Sequence, residues 1–272
     1  AVKVHVHTPE PGTPINYGAR QGSLSRVTIE NMQEQYQEFI LSKAQKPAAR
    51  PELSTRIGTV VVVPGPGLSN VFESLGASVV VSGGQTMNPS TEELLNAVES
   101  VSSDDVILMP NNKNVILAAQ QAKELSEKNV EVVPTITVPQ GIAALLALNY
   151  QADLETNARI MVEAAEHIET IEITTAVRSA QINGMSVAEG EVIGLVNGKL
   201  KLKGAATAEV AMGALEEVQA EDYEIITMYY GEVVTNQQAE RLSDEIAERY
   251  PDQEIELIDG GQPHYSYIIS VE

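Results

Sequence analysis

Two histidines near the start of the chain are the first residues whose type and spacing could do chemistry. In the segment 2–7, read as Val-Lys-Val-His-Val-His, apolar and polar residues alternate, as in a β-strand with one buried and one open face. The imidazoles of His5 and His7 would then project side by side, and neutral imidazole is a preferred ligand of zinc. Because a structural zinc site needs four ligands, two interpretations stay open: a zinc site completed from outside this chain, or two solvent-facing histidines.

A second group of polar residues follows strongly apolar segments. Four such segments, at 59–63, 78–81, 105–109 and 131–135, alternate with helical patterns at a period of about 25 residues. This alternation is typical of a parallel sheet covered by helices on both faces. Since open α/β sheets bind ligands at the carboxyl ends of their strands, the sequence predicts a binding surface there, formed by Gly83, Gly84, Gln85, Thr86, Asn88, Asn111, Asn112, Lys113 and Asn114.

These loop residues favour recognition over bond breaking. They offer neutral hydrogen-bonding groups and one cation, and the same loops contain no pair of carboxylates for acid–base catalysis. A small polar ligand or a loop of a partner protein would suit them. The alternative is that glycine and asparagine serve only turn geometry and helix caps at these positions.

The remaining candidates are weaker. His167 and His264 lie far apart in the sequence, and we interpret both as ordinary, partly exposed histidines. The loop from Val63 to Gly67 resembles a phosphate-binding loop, but Pro64 and Pro66 lack the backbone N–H groups that such a loop needs. The sequence contains no serine-hydrolase, zinc-protease or nucleotide P-loop motif.

The pattern along the chain predicts an α/β protein with a parallel βα lobe and an α+β second lobe. Residues 1–46 are predicted to be part of a small α+β domain, with a short helix at 14–22 and a longer one at 31–45, and the proline-containing segment 47–56 is predicted to be a linker. The parallel lobe is placed at 57–150 and the α+β lobe at 151–272. Helix caps at 90–93 and 235–238, and hairpin turns at the Asn-Gly pairs 183–184 and 197–198, support these elements.

Charge is unevenly distributed over the 272 residues, whose net charge is −21. Residues 1–50 contain six Lys/Arg and four Asp/Glu, whereas residues 51–272 contain 11 and 34. Such an acidic body disfavours nucleic acid and anionic membranes, and is compatible with docking onto a basic protein surface. We expect no membrane insertion, no disulfides because Cys is absent, and a cytoplasmic location. The start at Ala1 suggests a piece of a longer protein.

Several strings resemble one family, the dihydroxyacetone-kinase-like A subunit of bacterial fatty acid kinase. They are the histidine strand at 2–8, Asn-Met-Gln-Glu-Gln at 31–35, Gly-Gly-Gln-Thr-Met-Asn-Pro-Ser-Thr at 83–91, Pro-Asn-Asn-Lys-Asn at 110–114 and the final segment 260–272. The resemblance covers essentially the whole chain. It implies a middle domain followed by a C-terminal region with the two-lobed fold of DegV-type fatty-acid carriers.

The same resemblance implies the cofactors and partners. ATP and magnesium would bind to an N-terminal domain that this chain lacks, so the fragment alone is not expected to phosphorylate anything. The middle domain is implied to form a homodimer and to hold zinc with His5 and His7, together with cysteines that are not in this chain. The C-terminal region is implied to dock a fatty-acid-binding carrier protein of the DegV family.

We therefore expect the carrier-docking and dimerisation portion of a fatty acid kinase, which presents the carrier to a separate ATP-binding domain. The alternative from another class is a small-molecule or fatty-acid-binding protein that uses the crevice at the strand ends. A third interpretation treats residues 1–50 as a dimer scaffold only.

Overall fold

The computed structural model describes residues 12–21, 57–84, 88–182 and 185–272. The chain divides into two compact units, residues 1–53 and 54–272. In the first unit a helix, α1, spans Gly12–Gln21, which agrees with the short helix predicted at 14–22. The histidine strand and the helix predicted at 31–45 lie outside the described residues.

The second unit begins with a parallel sheet, as the apolar segments predicted. Its strands are β1 (Ile57–Val63), β2 (Val79–Ser82), β3 (Asp105–Met109) and β4 (Asn129–Val132), in the spatial order β2-β1-β3-β4. All seven residues of β1 are buried. A strand in this central position is covered on both faces, which explains its continuous run of valines.

Helices cover both faces of this sheet. α3 (Thr91–Ser100) and α4 (Ile116–Leu125) pack on the face that contains Val60 and Leu108. α2 (Pro66–Ser74), α5 (Val138–Leu146) and α6 (Leu154–Glu166) pack on the opposite face. Alternate strand residues therefore face two separate apolar cores.

The fourth strand is shorter than its apolar pattern suggested. The sequence placed it at 131–135, whereas β4 ends at Val132. Val133 still donates its N–H to the carbonyl oxygen of Leu108 at 3.1 Å. Thr135 instead bonds to Asn111 in the neighbouring loop, so the chain leaves the sheet there.

A second, mixed sheet follows. It contains β5 (Glu169–Thr175), β8 (Val192–Val196), β9 (Lys199–Gly204), β10 (Ile225–Tyr230), β11 (Glu254–Asp259) and β12 (Tyr265–Val271), in the order β11-β10-β12-β5-β8-β9. Only β10 and β11 run parallel to each other within it. A short hairpin, β6 (Ala180–Ile182) with β7 (Met185–Val187), stands beside this sheet as a separate pair.

The two faces of the mixed sheet differ in what they contact. α7 (Thr207–Glu217) and α8 (Asn236–Arg249) share one core with Ile171, Ile173 and other residues of one face. Tyr229 and Ile268, on the other face, share the core of α2, α5 and α6. A helical layer therefore lies between the two sheets and joins the two lobes of residues 54–272.

The local signals for helix starts and for the turn at 197–198 are confirmed, whereas Asn183 and Gly184 lie outside the described residues. Ser90 with Glu93, and Thr235 with Gln238, form complete capping boxes at the starts of α3 and α8. Asn197 and Gly198 join β8 to β9 with φ angles of 49° and 71°, the left-handed values that an Asn-Gly hairpin turn provides. The predicted α/β fold class, with a parallel and a mixed lobe, is confirmed as well.

No helix within the described ranges is long and apolar enough to cross a membrane.

Candidate functional site

A cleft lies where the carboxyl ends of the parallel strands face the mixed sheet. The first lobe contributes the loops that follow all four of its strands, and the second lobe contributes β5 and the start of β12. The lining residues are Val62, Pro64, Gly83, Gly84, Pro110, Asn111, Asn112, Ile136, Val138, Glu172, Pro263, His264, Tyr265 and Ile268. The cleft is thus at the edge where an open α/β sheet binds ligands, but five of these 14 lining residues belong to the other lobe.

Asn111 forms the floor of the cleft. Its backbone is left-handed, with φ of 50°, a region that asparagine tolerates better than most residues. Its side-chain Nδ2 donates to the carbonyl oxygen of Val62 at 3.0 Å, and its Oδ1 accepts from the Thr135 hydroxyl at 2.7 Å. A Cβ on Gly141 would lie 2.1 Å from that Oδ1, so glycine is required there for the amide to fit.

Asn112 connects two of the loops. Its Oδ1 accepts from the backbone N–H of Asn114 at 2.9 Å, and its Nδ2 donates to Asn88 Oδ1 at 3.4 Å. Asn112 is buried, whereas Asn88, Lys113 and Asn114 are exposed. The loop after β3 therefore holds one asparagine inside and presents its polar neighbours to solvent.

The structure brings most of the predicted binding residues together. Gly83, Gly84, Asn111 and Asn112 line the cleft, and Asn88, Lys113 and Asn114 lie beside them in the same loops. Gln85, Thr86, His5 and His7 lie outside the described residues. Their assignment to ligand, partner or zinc stays a prediction.

Glu172 is a cleft residue that the sequence reasoning missed. It lies in the middle of β5, is only 8% exposed and lines the cleft. Burial raises the pKa of its carboxyl to about 7, while a hydrogen bond from Tyr265 and the charge of Lys113 act in the opposite direction. The carboxyl therefore changes its charge near neutral pH.

The missed signal was a break in an apolar pattern. Residues 170–173 read Thr-Ile-Glu-Ile, and the isoleucines face the core under α7 and α8. Glu172 faces the opposite way, toward the first lobe. A glutamate at such an alternate position reads as a solvent-facing strand residue unless a second layer is known to cover that face.

The segment before β12 forms the other wall of the cleft. His264 has a left-handed backbone, with φ of 70°, and its carbonyl oxygen accepts from the Thr174 hydroxyl at 2.6 Å. Tyr265 follows it and bonds to Glu172. His264, which the sequence alone did not distinguish from an ordinary histidine, thus lies at the cleft.

The glycine loop after β1 joins the lobes by close backbone packing. Leu68 donates its N–H to the carbonyl oxygen of Gly260 at 2.9 Å. A Cβ on Gly67 would lie 2.1 Å from the carbonyl oxygen of Asp259, and one on Gly65 would lie 2.5 Å from that of Gly261. This loop packs against backbone, in agreement with the sequence argument against a phosphate cradle.

The size of the cleft limits what it can hold. The space left inside it for water-sized molecules is about 30 Å³, room for about two waters. Pockets for larger organic ligands usually measure about 300–1,000 Å³. In this conformation the cleft has no room for an acyl chain.

Within the described part of the chain, no cluster of three or more His, Cys, Asp or Glu side chains is arranged to hold a metal ion.

Two family models match the chain, both of FakA-like fatty acid kinase proteins. The model of the C-terminal domain matches residues 58–272, and the model of the middle domain matches residues 1–39. Among curated relatives, Protein YloV of Bacillus subtilis is 42% identical over 99% of this chain and 49% of its own length. An uncharacterized protein of Staphylococcus aureus strain USA300 is 37% identical over 100% of this chain and 49% of its own length. The chain spans about half the length of the curated relatives it matches.

Solved structures share the fold at low sequence identity. A DegV family protein of Corynebacterium glutamicum aligns with a TM-score of 0.58 at 17% identity, over 79% of this chain and 97% of its own. The Fak B3 protein of Streptococcus pneumoniae, loaded with linoleic acid, aligns with a TM-score of 0.53 at 12% identity, over 79% and 99%. The dihydroxyacetone kinase of C. freundii aligns with a TM-score of 0.54 at 14% identity, over 91% and 57%. Together with the family matches, these likenesses confirm the resemblance drawn from the sequence strings: the chain belongs to the FakA-like family of fatty acid kinase proteins, of which it contains the C-terminal domain and a middle-domain segment.

Proposed function

We propose that this chain is the carrier-docking and dimerisation portion of a fatty acid kinase. In this proposal the second unit binds a fatty-acid-binding protein of the DegV family. A separate domain of the whole protein, with bound ATP and magnesium, then transfers the γ-phosphate to the carboxylate of the carried fatty acid. The chain itself supplies binding and orientation, and no step of the transfer.

The size of the cleft is the observation that carries this proposal. The fold is that of DegV proteins, and two of these have been solved with vaccenic or heptadecanoic acid bound. Here the cleft between the two lobes, as lined by the described residues, has about 30 Å³ of free space. A cleft of that size fits a role in recognising the loaded carrier better than a role in holding lipid.

Charge supports the same function. Residues 51–272 contain 34 acidic and 11 basic side chains, so the second unit attracts a partner with a basic face and accelerates its encounter. Because this attraction is between exposed charges, added salt should weaken it.

The first unit would supply dimerisation and zinc. Both proposals rest on the family resemblance, with His5 and His7 as two of the zinc ligands. Size measurement of the chain with and without residues 1–50 tests dimerisation, and metal analysis of a longer form that includes the upstream residues tests zinc.

Isothermal titration of the chain with a fatty-acid-loaded DegV-family protein, such as that of Bacillus subtilis, tests carrier docking. We expect a one-to-one complex that weakens as salt increases. The kinase assignment is tested separately by adding ATP and fatty acid to the loaded carrier with this chain or with a form that includes the upstream domain. Only the longer form should produce acyl phosphate, and phosphorylation by the 272-residue chain alone would contradict the proposal.

A second candidate function is direct binding of a small molecule or fatty acid in the cleft. The buried carboxyl of Glu172 among apolar walls at the strand ends favours it. Extraction of the purified protein followed by mass spectrometry distinguishes the two functions, since a stoichiometric lipid or small ligand would favour this second candidate.

A further inference from the structure

The cleft contains a buried acid with little to neutralise it. Glu172 lies between Leu195 of β8 and Ile268 of β12 in the strand register, so its neighbours within the sheet are apolar. Tyr265 hydrogen-bonds to it from the start of β12, His264 lines the same cleft, and Asn112 and Lys113 belong to the facing loop of the first lobe. No Lys or Arg is among the described residues that line the cleft.

An ionised carboxylate in such a place is unfavourable unless it is paired. Within the part of the chain that the structure describes, Tyr265 supplies a hydrogen bond to Glu172, and a carboxylate can accept about four. Lys113 is close enough to influence the carboxyl, but its side chain is exposed and outside the cleft lining. An incoming cation that reached Glu172 would therefore gain a buried partner that is only partly satisfied.

The free volume of the cleft and the net charge of the chain indicate which kind of cation would bind to Glu172. The free space of about 30 Å³ fits an ammonium group but not a larger ring or an acyl chain. Among the described residues the walls are apolar, with Val62, Pro64, Pro110 and Pro263 among them and no Lys or Arg, so no lining cation competes with an incoming ammonium group for Glu172. The excess of acidic residues in 51–272 attracts partners with basic surfaces.

We propose that the cleft receives the ammonium group of a lysine side chain from the docked partner, with Glu172 as its counter-ion. This inference rests on the proposed carrier docking and identifies the contact that would give it specificity. A surface pair at the rim would mainly affect the association rate, whereas this enclosed pair would also slow dissociation.

The proposal makes partner binding depend on pH. The free protein must release a proton from Glu172 before the ion pair forms, and burial places the pKa of that group at about 7. The fraction ionised rises about tenfold between pH 6 and pH 8, so affinity should rise by about the same factor. At pH 7, binding should release about half a proton per complex.

Titration calorimetry with a fatty-acid-loaded DegV-family carrier at pH 6, 7 and 8, in buffers of different ionisation enthalpy, measures both quantities. We expect wild type to show the tenfold rise in affinity and the proton release. Glu172→Gln should bind weakly, with an affinity that does not depend on pH and without proton release. Glu189→Gln should behave as wild type. Glu189 is exposed and lies in the loop after β7, so it controls for the loss of one negative charge. Tyr265→Phe should move the midpoint of the pH dependence upward, because the hydroxyl favours the ionised carboxyl.

A second arm uses n-butylammonium as a stand-in for the lysine side chain. Carboxyl-carbon NMR of Glu172 should report a lower pKa as the amine is added, and sodium at equal ionic strength should not reproduce the shift. Carrier binding that is independent of pH and of Glu172→Gln would overturn the inference and leave the proposed function intact. Failure of the carrier to bind at all would overturn the proposed function and the lysine partner, while the amine titration would still decide whether the cleft binds a cation.

Discussion

The floor and the far wall of the cleft each contain a buried polar side chain, Asn111 and Glu172, but the two differ in charge and in how completely they are hydrogen-bonded. Asn111 on the floor is neutral, and both ends of its amide are hydrogen-bonded within the first lobe. Glu172 on the wall is ionisable, and burial raises its pKa to about 7. The first arrangement stabilises the fold, whereas the second costs stability whenever the carboxyl is charged. A group that costs stability at neutral pH is a better candidate for function than one whose bonds are complete.

Removal of the floor amide should have the largest effect on stability. Asn111→Ala leaves the Val62 carbonyl and the Thr135 hydroxyl without this partner, and it places alanine, which tolerates the left-handed region less well than asparagine does, at a φ of 50°. We expect a loss of about 3–4 kcal/mol in the free energy of unfolding. Urea denaturation measures it, with Asn114→Ala in the exposed part of the same loop as the control, expected to change less than about 0.5 kcal/mol.

Removing the charge of Glu172 should instead increase the free energy of unfolding, by an amount that depends on pH. The folded pKa of Glu172 is about 7 and its ordinary value is 4.5, so between these values the native state holds a proton that the unfolded state has lost. The protonated carboxyl therefore contributes stability that is fully present below pH 4.5 and is lost as pH rises through 7. The free energy of unfolding of Glu172→Gln should therefore exceed that of wild type by up to about 3 kcal/mol at pH 8 and by little at pH 5.

Thermal and urea denaturation of wild type and Glu172→Gln at both pH values check this difference, since other titrating groups cancel between the two proteins. Glu189→Gln should show no pH-dependent gain. Equal stability of Glu172→Gln and wild type at pH 8 would mean that the carboxyl is not desolvated, and the contrast with Asn111 would disappear.

Substitution of Gly67, which packs against the other lobe, should have the next largest effect on the free energy of unfolding. Gly67→Ala places a Cβ 2.1 Å from the carbonyl oxygen of Asp259, which is backbone and cannot rotate away. We expect a loss of about 2–3 kcal/mol. Gly190→Ala is the control: its φ is 83° but nothing lies within 4 Å of the added Cβ, so only the backbone cost of about 1 kcal/mol should appear.

A smaller effect is expected at the hydroxyl pair between the lobes. Thr137 Oγ1 and Thr170 Oγ1 are 2.9 Å apart and buried. Thr170→Val removes that bond but keeps the shape of the side chain, and should cost about 1 kcal/mol in urea denaturation. Thr175→Val, at the exposed end of the same strand, should be close to neutral. A Thr170→Val protein as stable as wild type would indicate that neutral polar pairs contribute little to joining the lobes.

Short-range patterns predicted much of the fold. The valine-rich segments became the parallel strands, and the capping boxes at Ser90 and Thr235 start their helices as expected. These predictions succeeded because each depends on residues a few positions apart. The end of β4 was misplaced because it depends on a bond from Thr135 to Asn111, 24 positions away.

The candidate site divides in the same way. Residues 83–84 and 111–112 could be assigned because carboxyl ends of parallel strands meet at one edge of a sheet. Glu172, His264 and Tyr265 could not, since they reach the cleft from another sheet. Their positions depend on the packing of that sheet against α2, α5 and α6, and no periodicity in the sequence encodes that distance.

The sequence by itself determined the two-lobed α/β class, the acidic character of the second unit and the family strings, because composition, periodicity and local motifs are properties of neighbouring residues. Only the tertiary structure decided that the cleft is nearly filled and that a glutamate lies at its wall with a pKa near neutrality. Both depend on how closely two layers from distant parts of the sequence approach, since that distance sets the free volume between them and the amount of water left around the carboxyl.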